Sequence, residues 1–591
     1  MYLRRTQRRK NGKEHDYWSI VESRRLADGR VVQRHVLYLG EINGAQERAW
    51  LRSIKVFQDN NPHPQTIALF PEDRVADDLD DVSIVRLKLG ALSVHRPRQW
   101  GACWLALQLW KELQLDQFWA RRLEPSRKGT RWDHVLTVLV IYRLIAPGSE
   151  WRLHRHWFDD SAMADLLGAD FSLADPHKLY GCHDRLLAHK AALFSHLTER
   201  WRDLFNAQFD VLLYDLTSTY FESDPPVDEH DKRKFGYSRD KRPDCVQVVI
   251  ALIVTPEGFP LAYDVLSGNT SDKTTLRQFL QKIETQYGKA RRVWVMDRGI
   301  PTEEVLAEMR ASDPPVQYLV GTPKGRLSKL EKALLDKPWQ KAREGVDVKL
   351  LPQEGELYVL ARSRDRVAKE RGMRRKKLKR LWKRLKELQG MKLRREALLM
   401  KLGAARQQGP SAWRLVAVEV DTVEATFTYC LRKDKLRQVR RREGRYLLRG
   451  NLTETDPAVV WRYYLQLVEV EQAFRTLKGD LAIRPIFHQD ETRIEAHIFV
   501  SFLAYCLYVT LGRRLSKLAP GLTSRSVLEK FATVQMVDVH IPTSDGCTLI
   551  FQRHTHPEAD VRLLLGRLKL RLPAQPPPRI TVAAAETRAR M

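Results

Sequence analysis

The sequence predicts a multidomain α/β protein with a largely buried sheet at its centre. The chain has 591 residues, of which 43% are hydrophobic, so it can bury several cores and is too long for one compact domain. Short apolar and β-branched runs bounded by turn residues occupy the middle of the chain, and helical periodicity precedes and follows them. Strands flanked by helical regions are therefore expected.

The charge balance indicates a polyanionic partner. Lys and Arg number 101 against 73 Asp and Glu, which gives a formal net charge of +28, and nucleic acid is the usual partner of such a chain. The longest apolar stretches, Val135–Ala146 and Ile498–Leu511, are too short to span a bilayer. The basic N-terminus is not followed by the apolar segment of a secretory signal. We therefore expect no membrane partner and a cytoplasmic location.

The first 206 residues are predicted to form two units. A basic β-rich region covers residues 1–95, because the runs YWSIVESRRL and VVQRHVLYLG flank an Asp-Gly turn, a pattern typical of a β-hairpin. A helical domain follows over residues 96–206, where segments such as WLALQLWKELQLDQFW place charged residues between apolar positions at helical spacing.

Four short runs between residues 207 and 315 predict strands of one sheet. They are Val211–Asp215, Val246–Thr255, Phe259–Leu266 and Val293–Asp297. Further strands are expected in RLVAVEV, ATFTYCL and GRYLLRGNL, and a helical pattern runs from Ala458 to Leu511. The tail after Ala574 is expected to be disordered.

The most basic stretch of the chain lies between residues 362 and 408. Four leucines in it repeat at spacings of three and four residues: Leu378, Leu381, Leu385 and Leu388. This stripe predicts a helical hairpin or a short coiled coil. Phosphate contact is the favoured interpretation of the surrounding charges, and a solvated helix without a specific partner is the alternative.

Two aspartates end apolar strand candidates, Asp215 in LLYD and Asp297 in WVMD. An ionised carboxylate there is costly unless a cation pairs with it. Mg²⁺ provides such a cation, because it prefers hard oxygen ligands and binds through a few carboxylates, waters and substrate phosphates. Either aspartate alone is a weak signal, since a strand-end turn or a helix cap explains it equally well.

A third carboxylate is predicted on the helix YYLQLVEVEQAFRTLKGDL. Tyr464, Glu471, Arg475 and Lys478 recur there at helical spacing and share one side, whereas Glu469 lies off that face. Glu471 is therefore preferred as the third ligand. The alternative is an ordinary surface pair between Glu471 and Arg475, worth only a few tenths of a kcal/mol.

Several smaller signals accompany the acids. Lys241 and Arg242 precede a core strand in GYSRDKRPD, where they could reach a DNA backbone, although a charged turn is nearly as good an interpretation. His488 and His497 are expected to be satisfied structural histidines and not metal ligands. The six cysteines lie far apart, without the paired spacing of a zinc site or a disulfide framework, and are expected to be ordinary buried thiols.

Four blocks of the sequence, in this order, resemble the DDE transposases of the insertion sequence four superfamily. They are YDLTSTYFES, GYSRDKRPDCVQVVIALIVTPEGFPLAYDVLSGNTSDKTTL, VWVMDRG and YYLQLVEVEQAFRTLKGDLAIRPIFHQDETRIEAHIFVSFLAYCL. The resemblance covers most of residues 210–511, and YWSIVESRR and VVQRHVLYLGEI resemble the N-terminus of one branch of the group.

The family signature is Tyr, Arg, Glu and Lys, separated by two, three and six residues. It maps onto Tyr464, Leu467, Glu471 and Lys478, so leucine stands where arginine is expected. The resemblance implies that Tyr464 and Lys478 hold the transferred DNA strand beside Glu471. Arg475 or Arg462 could supply the missing guanidinium, and Arg298, directly after Asp297, is a further predicted DNA contact.

The resemblance also implies an RNase H-like mixed-sheet catalytic core interrupted by an inserted domain. In that fold the first aspartate lies on the first strand, the second on the fourth and the glutamate on a later helix. The core would comprise residues 207–315 and 456–530, with a largely β insertion over 316–455 that carries the basic helical hairpin and a C-terminal region over 531–591. The basic helices could be a local elaboration.

The activity implied is that of a transposase that binds the terminal inverted repeats of its element, cuts the DNA ends and joins them to target DNA. Asp215, Asp297 and Glu471 would hold two Mg²⁺ ions, which Mn²⁺ could replace, and double-stranded DNA and a second copy of the chain would be the partners. Two rivals remain: a metal-dependent nuclease of the same fold without strand transfer, and a DNA-binding relic without catalysis.

Overall fold

The structure is a computed structural model of the chain. It describes residues 2–10, 13–25, 31–40, 42, 46, 50, 87–270, 276–287, 292–297, 300–322, 330, 333–334, 337–353, 355–421, 424–453, 456–543 and 546–581.

The N-terminal region is an antiparallel sheet. Its three strands are β1 (Tyr2–Lys10), β2 (Lys13–Arg25) and β3 (Val31–Gly40). Strands β2 and β3 pair antiparallel, which confirms the predicted hairpin; its Asp-Gly turn lies outside the described residues. Strand β1 was not expected, because its charged sequence YLRRTQRRK shows no apolar alternation.

A helical region follows strand β4 (Ser93–Gln99). Its helices are α1 (Gly101–Glu112), α2 (Leu115–Ala120), α3 (Trp132–Ile145), α4 (Glu150–Arg152), α5 (Phe158–Asp160), α6 (Met163–Leu167), α7 (Pro176–His183) and α8 (Lys190–Phe205). Helix α7 starts at an Asp-Pro pair, since the Asp175 carboxylate accepts hydrogen bonds from the backbone N–H groups of His177 and Lys178, and Pro176 occupies the first turn. Helix α3 is buried along most of its length.

The central sheet contains nine strands among the described residues, in the order β10-β11-β12-β15-β9-β8-β5-β6-β7. The strands of its first half are β5 (Val211–Tyr220), β6 (Gln247–Val254), β7 (Pro260–Ser267) and β8 (Val293–Met296), with α9 (Leu276–Tyr287) before β8. All four strands predicted in this half are present. Strands β5, β6 and β7 are antiparallel, whereas β8 runs parallel to β5.

The strands of the predicted insertion continue this same sheet. After α10 (Glu303–Ala311) come β9 (Gln317–Gly321), parallel to β8, then β10 (Gln340–Arg343), β11 (Val346–Gln353), β12 (Glu356–Ser363) and, later in the chain, β15 (Arg445–Gly450). Strand β15 lies between β9 and β12, so it joins the insertion to the core through backbone hydrogen bonds.

A separate helical unit projects between β12 and β15. Its elements are α11 (Arg364–Gln389), α12 (Arg395–Gln408), α13 (Pro410–Trp413), β13 (Val416–Val420), β14 (Phe427–Leu431) and α14 (Lys433–Arg442). Leu381, Leu385 and Leu388 face α12 in a small core of their own, distinct from the main core. The predicted helical hairpin is therefore confirmed.

The predicted helical pattern after Ala458 is interrupted. Helix α15 (Pro457–Leu465) and helix α16 (Leu467–Lys478) are followed by a non-helical segment over 479–490 before α17 (Glu491–Leu518) begins at its Asp490 cap. Helix α17 is the one described helix long and apolar enough to cross a membrane, but 89% of its apolar window is buried inside the protein. It packs against α3 and belongs to the main core.

A separate four-stranded sheet contains β4 and three C-terminal strands. Helix α18 (Ser524–Phe531) leads into β16 (Gln535–Pro542) and β17 (Thr548–His554), and after α19 (Ala559–Leu568) strand β18 (Arg579–Thr581) pairs with β17. The disorder predicted after Ala574 is therefore wrong for β18, and residues 582–591 lie outside the described residues. The predicted burial of the cysteines is wrong for Cys430, which is exposed, and Cys547 is half-buried.

Candidate active site

Asp215 and Asp297 occupy corresponding positions on neighbouring parallel strands. Tyr214 on β5 pairs with Met296 on β8, and each aspartate is the next residue along its strand direction. Neighbouring strands lie about 4.8 Å apart, so this register places the two side chains next to each other. The backbone N–H of Leu216 donates a 2.8 Å hydrogen bond to Asp215 Oδ1.

Helix α16 brings Glu471 to the same place, because it packs across β5 and β6. Its buried side, which includes Val470, Ala473, Phe474 and Leu477, faces the sheet. All three carboxylates line one open cleft of about 450 Å³. The complete lining is Asp215, Leu216, Thr217, Arg239, Asp297, Ile300, Glu471, Phe474, Arg475 and Lys478.

Glu469, two residues before Glu471, points elsewhere. Its carboxylate lies 3.8 Å from the guanidinium of Arg513, outside the cleft lining. Burial raises the pKa of Glu469, an effect that Arg513 partly offsets. Glu471, in contrast, is exposed to the cleft. The structure thus separates the two glutamates along the helix as the periodicity predicts, while their chemical roles stay predictions.

Three cations lie on the cleft wall: Arg239, Arg475 and Lys478. Lys478 Nζ donates a 2.8 Å hydrogen bond to Asp240 Oδ1, and Arg484 contacts the same carboxylate. Burial lowers the pKa of Lys478, and Asp240 offsets part of that effect. Asp240 therefore positions the Lys478 ammonium at the cleft.

Sequence reasoning missed Arg239 and Asp240, although it singled out the run GYSRDKRPD that contains them. The run is held in place by two glycines, since a Cβ on Gly236 or Gly268 would overlap the facing backbone. The side chain of Gln247 also donates to the carbonyl of Gly268 at 2.9 Å. This packing between distant residues determines that Arg239 of the run lines the cleft with the carboxylates, whereas Lys241 does not.

The other predicted DNA contacts are placed differently. Lys241 is exposed on the adjoining turn and lies outside the cleft lining. Arg242 forms ion pairs with Glu222 at 2.8 Å and Asp244 at 3.0 Å, and these hydrogen bonds raise its pKa. Arg298 lies outside the described residues. A phosphate would have to compete with two carboxylates for Arg242, so its DNA contact stays a prediction.

Tyr464 lies on α15 beside the acids. Its ring packs against Tyr446 and Trp461, with centroid separations of 5.4 Å in both cases. Burial raises the pKa of its hydroxyl, and nearby Asp297 and Glu471 add to the effect. Tyr464 itself lies outside the cleft lining, so its contact with the DNA strand stays a prediction. The backbone of Leu467 opens α16, and its side chain lies outside the described residues.

The donor set at the cleft suits a hard divalent cation. Asp215, Asp297 and Glu471 offer carboxylate oxygens only, and the cleft is open enough for water and a phosphate to complete the coordination. Arg239, Arg475 and Lys478 line the same cleft and can balance the charge of a phosphodiester.

Comparisons with known proteins give two family matches. Residues 207–507 match the family described as Transposase DDE domain, and residues 3–56 match the IS1634 family transposase N-terminal domain. No curated protein matches the sequence. The solved structure of the piggyBac transposase synaptic complex with hairpin DNA has a TM-score of 0.35 at 9% identity, covering 73% of this chain and 79% of that chain.

The matched residues 207–507 contain the central sheet, all three cleft carboxylates and the helices that carry them. A mixed sheet with acids at adjacent strand ends, in a chain with these two matches, defines a transposase. The chain belongs to the DDE transposase family and is a transposase of an insertion sequence.

Proposed function

We propose that this transposase binds the terminal inverted repeats of its element, cleaves the DNA ends and joins them to target DNA by Mg²⁺-dependent phosphoryl transfer. One observation supports the proposal above all: three carboxylates line one cleft. Asp215 and Asp297 come directly after the paired residues Tyr214 and Met296 on parallel strands, and helix α16 adds Glu471. The strand order β7-β6-β5-β8-β9 supports an RNase H-like core, with the aspartates on its first and fourth strands.

Asp215, Asp297 and Glu471 would hold the divalent ions, which activate an attacking oxygen and stabilise the leaving one; Mn²⁺ would replace Mg²⁺ in the same ligands. Arg239, Arg475 and Lys478 would bind the phosphates on either side of the scissile bond. Water would attack first, and the freed 3′-hydroxyl would then attack target DNA. We further propose action as a homodimer, since two ends must be cut together, in the bacterial cytoplasm.

The test is a cleavage and strand-transfer assay with Mg²⁺ on labelled DNA taken from the flanks of the gene. Asp215→Asn, Asp297→Asn and Glu471→Gln should each reduce cleavage by at least ~10³-fold, because each removes a charged metal ligand. The matched control is Glu469→Gln on the same helix, whose cleavage rate should stay within ~3-fold of wild type. Removing a single catalytic hydrogen bond would reduce the rate by much more, roughly 10²–10³-fold.

The outcomes separate the rival functions. Cleavage without joining would favour a nuclease, and DNA binding without any cleavage by the wild type would favour a relic. If Glu471→Gln kept full cleavage activity and Glu469→Gln lost it, the third metal ligand would be Glu469. The assignment of Glu471 from its side of the helix would then be wrong.

A further inference from the structure

A second cluster of possible ligands lies away from the cleft. It centres on Glu150 at the start of α4, beside which lie His183 at the end of α7, His488 in the segment before α17, and His497 on α17. All four side chains are buried, with exposed fractions of 5%, 0%, 6% and 2% in that order. Two come from the helical region and two from the C-terminal half of the chain.

The three histidines converge on one carboxylate oxygen of Glu150. Glu150 Oε1 lies 3.2 Å from His183 Nε2, 3.3 Å from His488 Nε2 and 3.6 Å from His497 Nδ1. Hydrogen bonds from nitrogen to an ionised carboxylate are usually shorter, about 2.7–2.9 Å. Ligand bonds of about 2.0–2.1 Å at a zinc centre place neighbouring ligand atoms about 3.3–3.4 Å apart. The ligand atoms of Glu150, His488 and His497 all lie within 4.8 Å of one another.

Hydrogen bonding does not account for the whole cluster. A carboxylate oxygen has two lone pairs, yet three imidazole nitrogens face this one. Within the described part of the chain, the outer nitrogens His183 Nδ1 and His497 Nε2 are buried without a hydrogen-bond partner. The expectation of satisfied structural histidines is therefore wrong for His497, which leaves one ring nitrogen unsatisfied.

Arg143 is the nearest competitor for a metal ion. Its Nη2 lies 3.5 Å from His497 Nδ1, longer than a good hydrogen bond, and its Nη1 donates to the carbonyl of Ala482 at 3.2 Å. The guanidinium adds positive charge beside the cluster, which reduces the affinity for a divalent cation. A moderate affinity is therefore expected.

We propose that Glu150, His488 and His497 bind a Zn²⁺ ion, with His183 beside it in contact with Glu150. Imidazole nitrogen with one carboxylate oxygen suits zinc and not the hard Mg²⁺ assigned to the cleft. The ion would fasten the helical region to the segment 479–490, which leads from α16 and contains Ala482 and Arg484. The proposal does not depend on the proposed function.

Metal content tests the site directly. The full-length chain, purified without a histidine tag, is measured by inductively coupled plasma mass spectrometry after equilibration with Zn²⁺ and gel filtration. About one zinc per chain is expected for the wild type. Glu150→Gln and His488→Asn should lose most of it. His196→Asn, a half-buried histidine on α8 outside the cluster, and Asp215→Asn in the cleft should keep it.

A second measurement covers variants that fold poorly. Co²⁺ added to the metal-free wild type should give the visible absorption of a tetrahedral centre, and a chelator should lower the melting temperature of wild type and His196→Asn but not of His488→Asn. Zinc that stays below about 0.1 per chain after reconstitution, or that survives Glu150→Gln and His488→Asn unchanged, would overturn the site and leave a metal-free hydrogen-bonded cluster. Neither result bears on cleavage by the carboxylates of the cleft.

Discussion

Single residues at the cleft have sharply different surroundings. Asp215, Asp297 and Glu471 line an open cleft, whereas Asp240 is nearly buried and holds Lys478 and Arg484. The sequence predicts the first group from local features, namely strand ends and helix spacing. It does not predict Asp240, because Lys478 lies 238 residues away along the chain.

Removing the charge of Asp240 should change Lys478. In Asp240→Asn the ammonium loses the anion that favours its charged form, so the pKa of Lys478, already lowered by burial, should fall further. The measurement is the pH dependence of Lys478 acetylation followed by mass spectrometry, whose midpoint should move to lower pH. Asp244→Asn, an exposed aspartate of the same loop, is the control and should leave the midpoint in place. An unmoved midpoint in Asp240→Asn would contradict the positioning role.

At the scale of elements, one buried ion pair fastens β4 to β16. Arg98 on β4 donates hydrogen bonds of 2.9 and 3.1 Å to Asp538 on β16, and its Nε donates to Asp165 at 2.8 Å. The side chains of Arg98 and Asp538 are 2% and 7% exposed. The ion pair therefore links β4 to β16, and neither of its two charges is well solvated.

Arg98→Met should destabilise the protein by about 3–5 kcal/mol, because it leaves Asp538 buried without its main partner. The free energy of unfolding in denaturant measures this loss. Arg96→Met is the control: Arg96 is exposed and lies 3.6 Å from Asp538, so its loss should cost at most about 1 kcal/mol. If the two substitutions lowered the free energy of unfolding equally, the buried pair would contribute no more to stability than the exposed one.

The same pair predicts acid sensitivity. Burial alone would raise the pKa of Asp538, but the hydrogen bonds and charge of Arg98 lower it below its ordinary value. A carboxyl whose pKa is depressed on folding contributes stability above its unfolded pKa, about 3.9, and that stability is lost as the pH falls through the folded value. Wild type should therefore lose stability below about pH 4, and Arg98→Met should lose less over that interval. Parallel curves for the two proteins would refute the assignment.

At the scale of the whole molecule, the basic helical unit has its own hydrophobic core. Leu385 is fully buried between α11 and α12, whereas Leu399 on α12 is 44% exposed. Leu385→Ala should cost about 2–5 kcal/mol and Leu399→Ala less than about 1 kcal/mol. Hydrogen exchange should show opening of residues 364–431 in Leu385→Ala while the central sheet stays protected. Opening spread over β5 to β8 would contradict separate cores.

The charge of the whole molecule makes DNA affinity depend on salt. Lys376 and Lys377 are exposed on α11, within the most basic stretch of the chain. If they contact phosphates, the double substitution to Gln should reduce the slope of log K against log salt by about 1.8, or about 0.9 for each contact. Fluorescence anisotropy at several salt concentrations measures the slope. Lys111→Gln with Lys128→Gln is the charge-matched control on the helical region, and equal slopes for both pairs would favour a merely solvated helix.

The sequence by itself determined the local elements and the acids that depend on them. The apolar runs around Asp215 and Asp297 predict strands, and the spacing from Tyr464 to Lys478 predicts a helix face, because side-chain periodicity is a property of a few consecutive residues. The leucine stripe of α11 predicts its hairpin for the same reason. Strands β1 and β18 were not predicted from the sequence. Each is stabilised by pairing with a neighbouring strand, β2 and β17 respectively, and not by a strand-like composition of its own.

Only the tertiary structure decided which distant residues meet. It placed β15 between β9 and β12, so the strands of the predicted insertion continue the central sheet. It directed Arg239 and Lys478 to the cleft while tying Arg242 to two carboxylates, and it gathered Glu150 with three histidines. Such contacts join residues tens to hundreds of positions apart, and their free energy comes from long-range packing and burial that no local pattern of residues encodes.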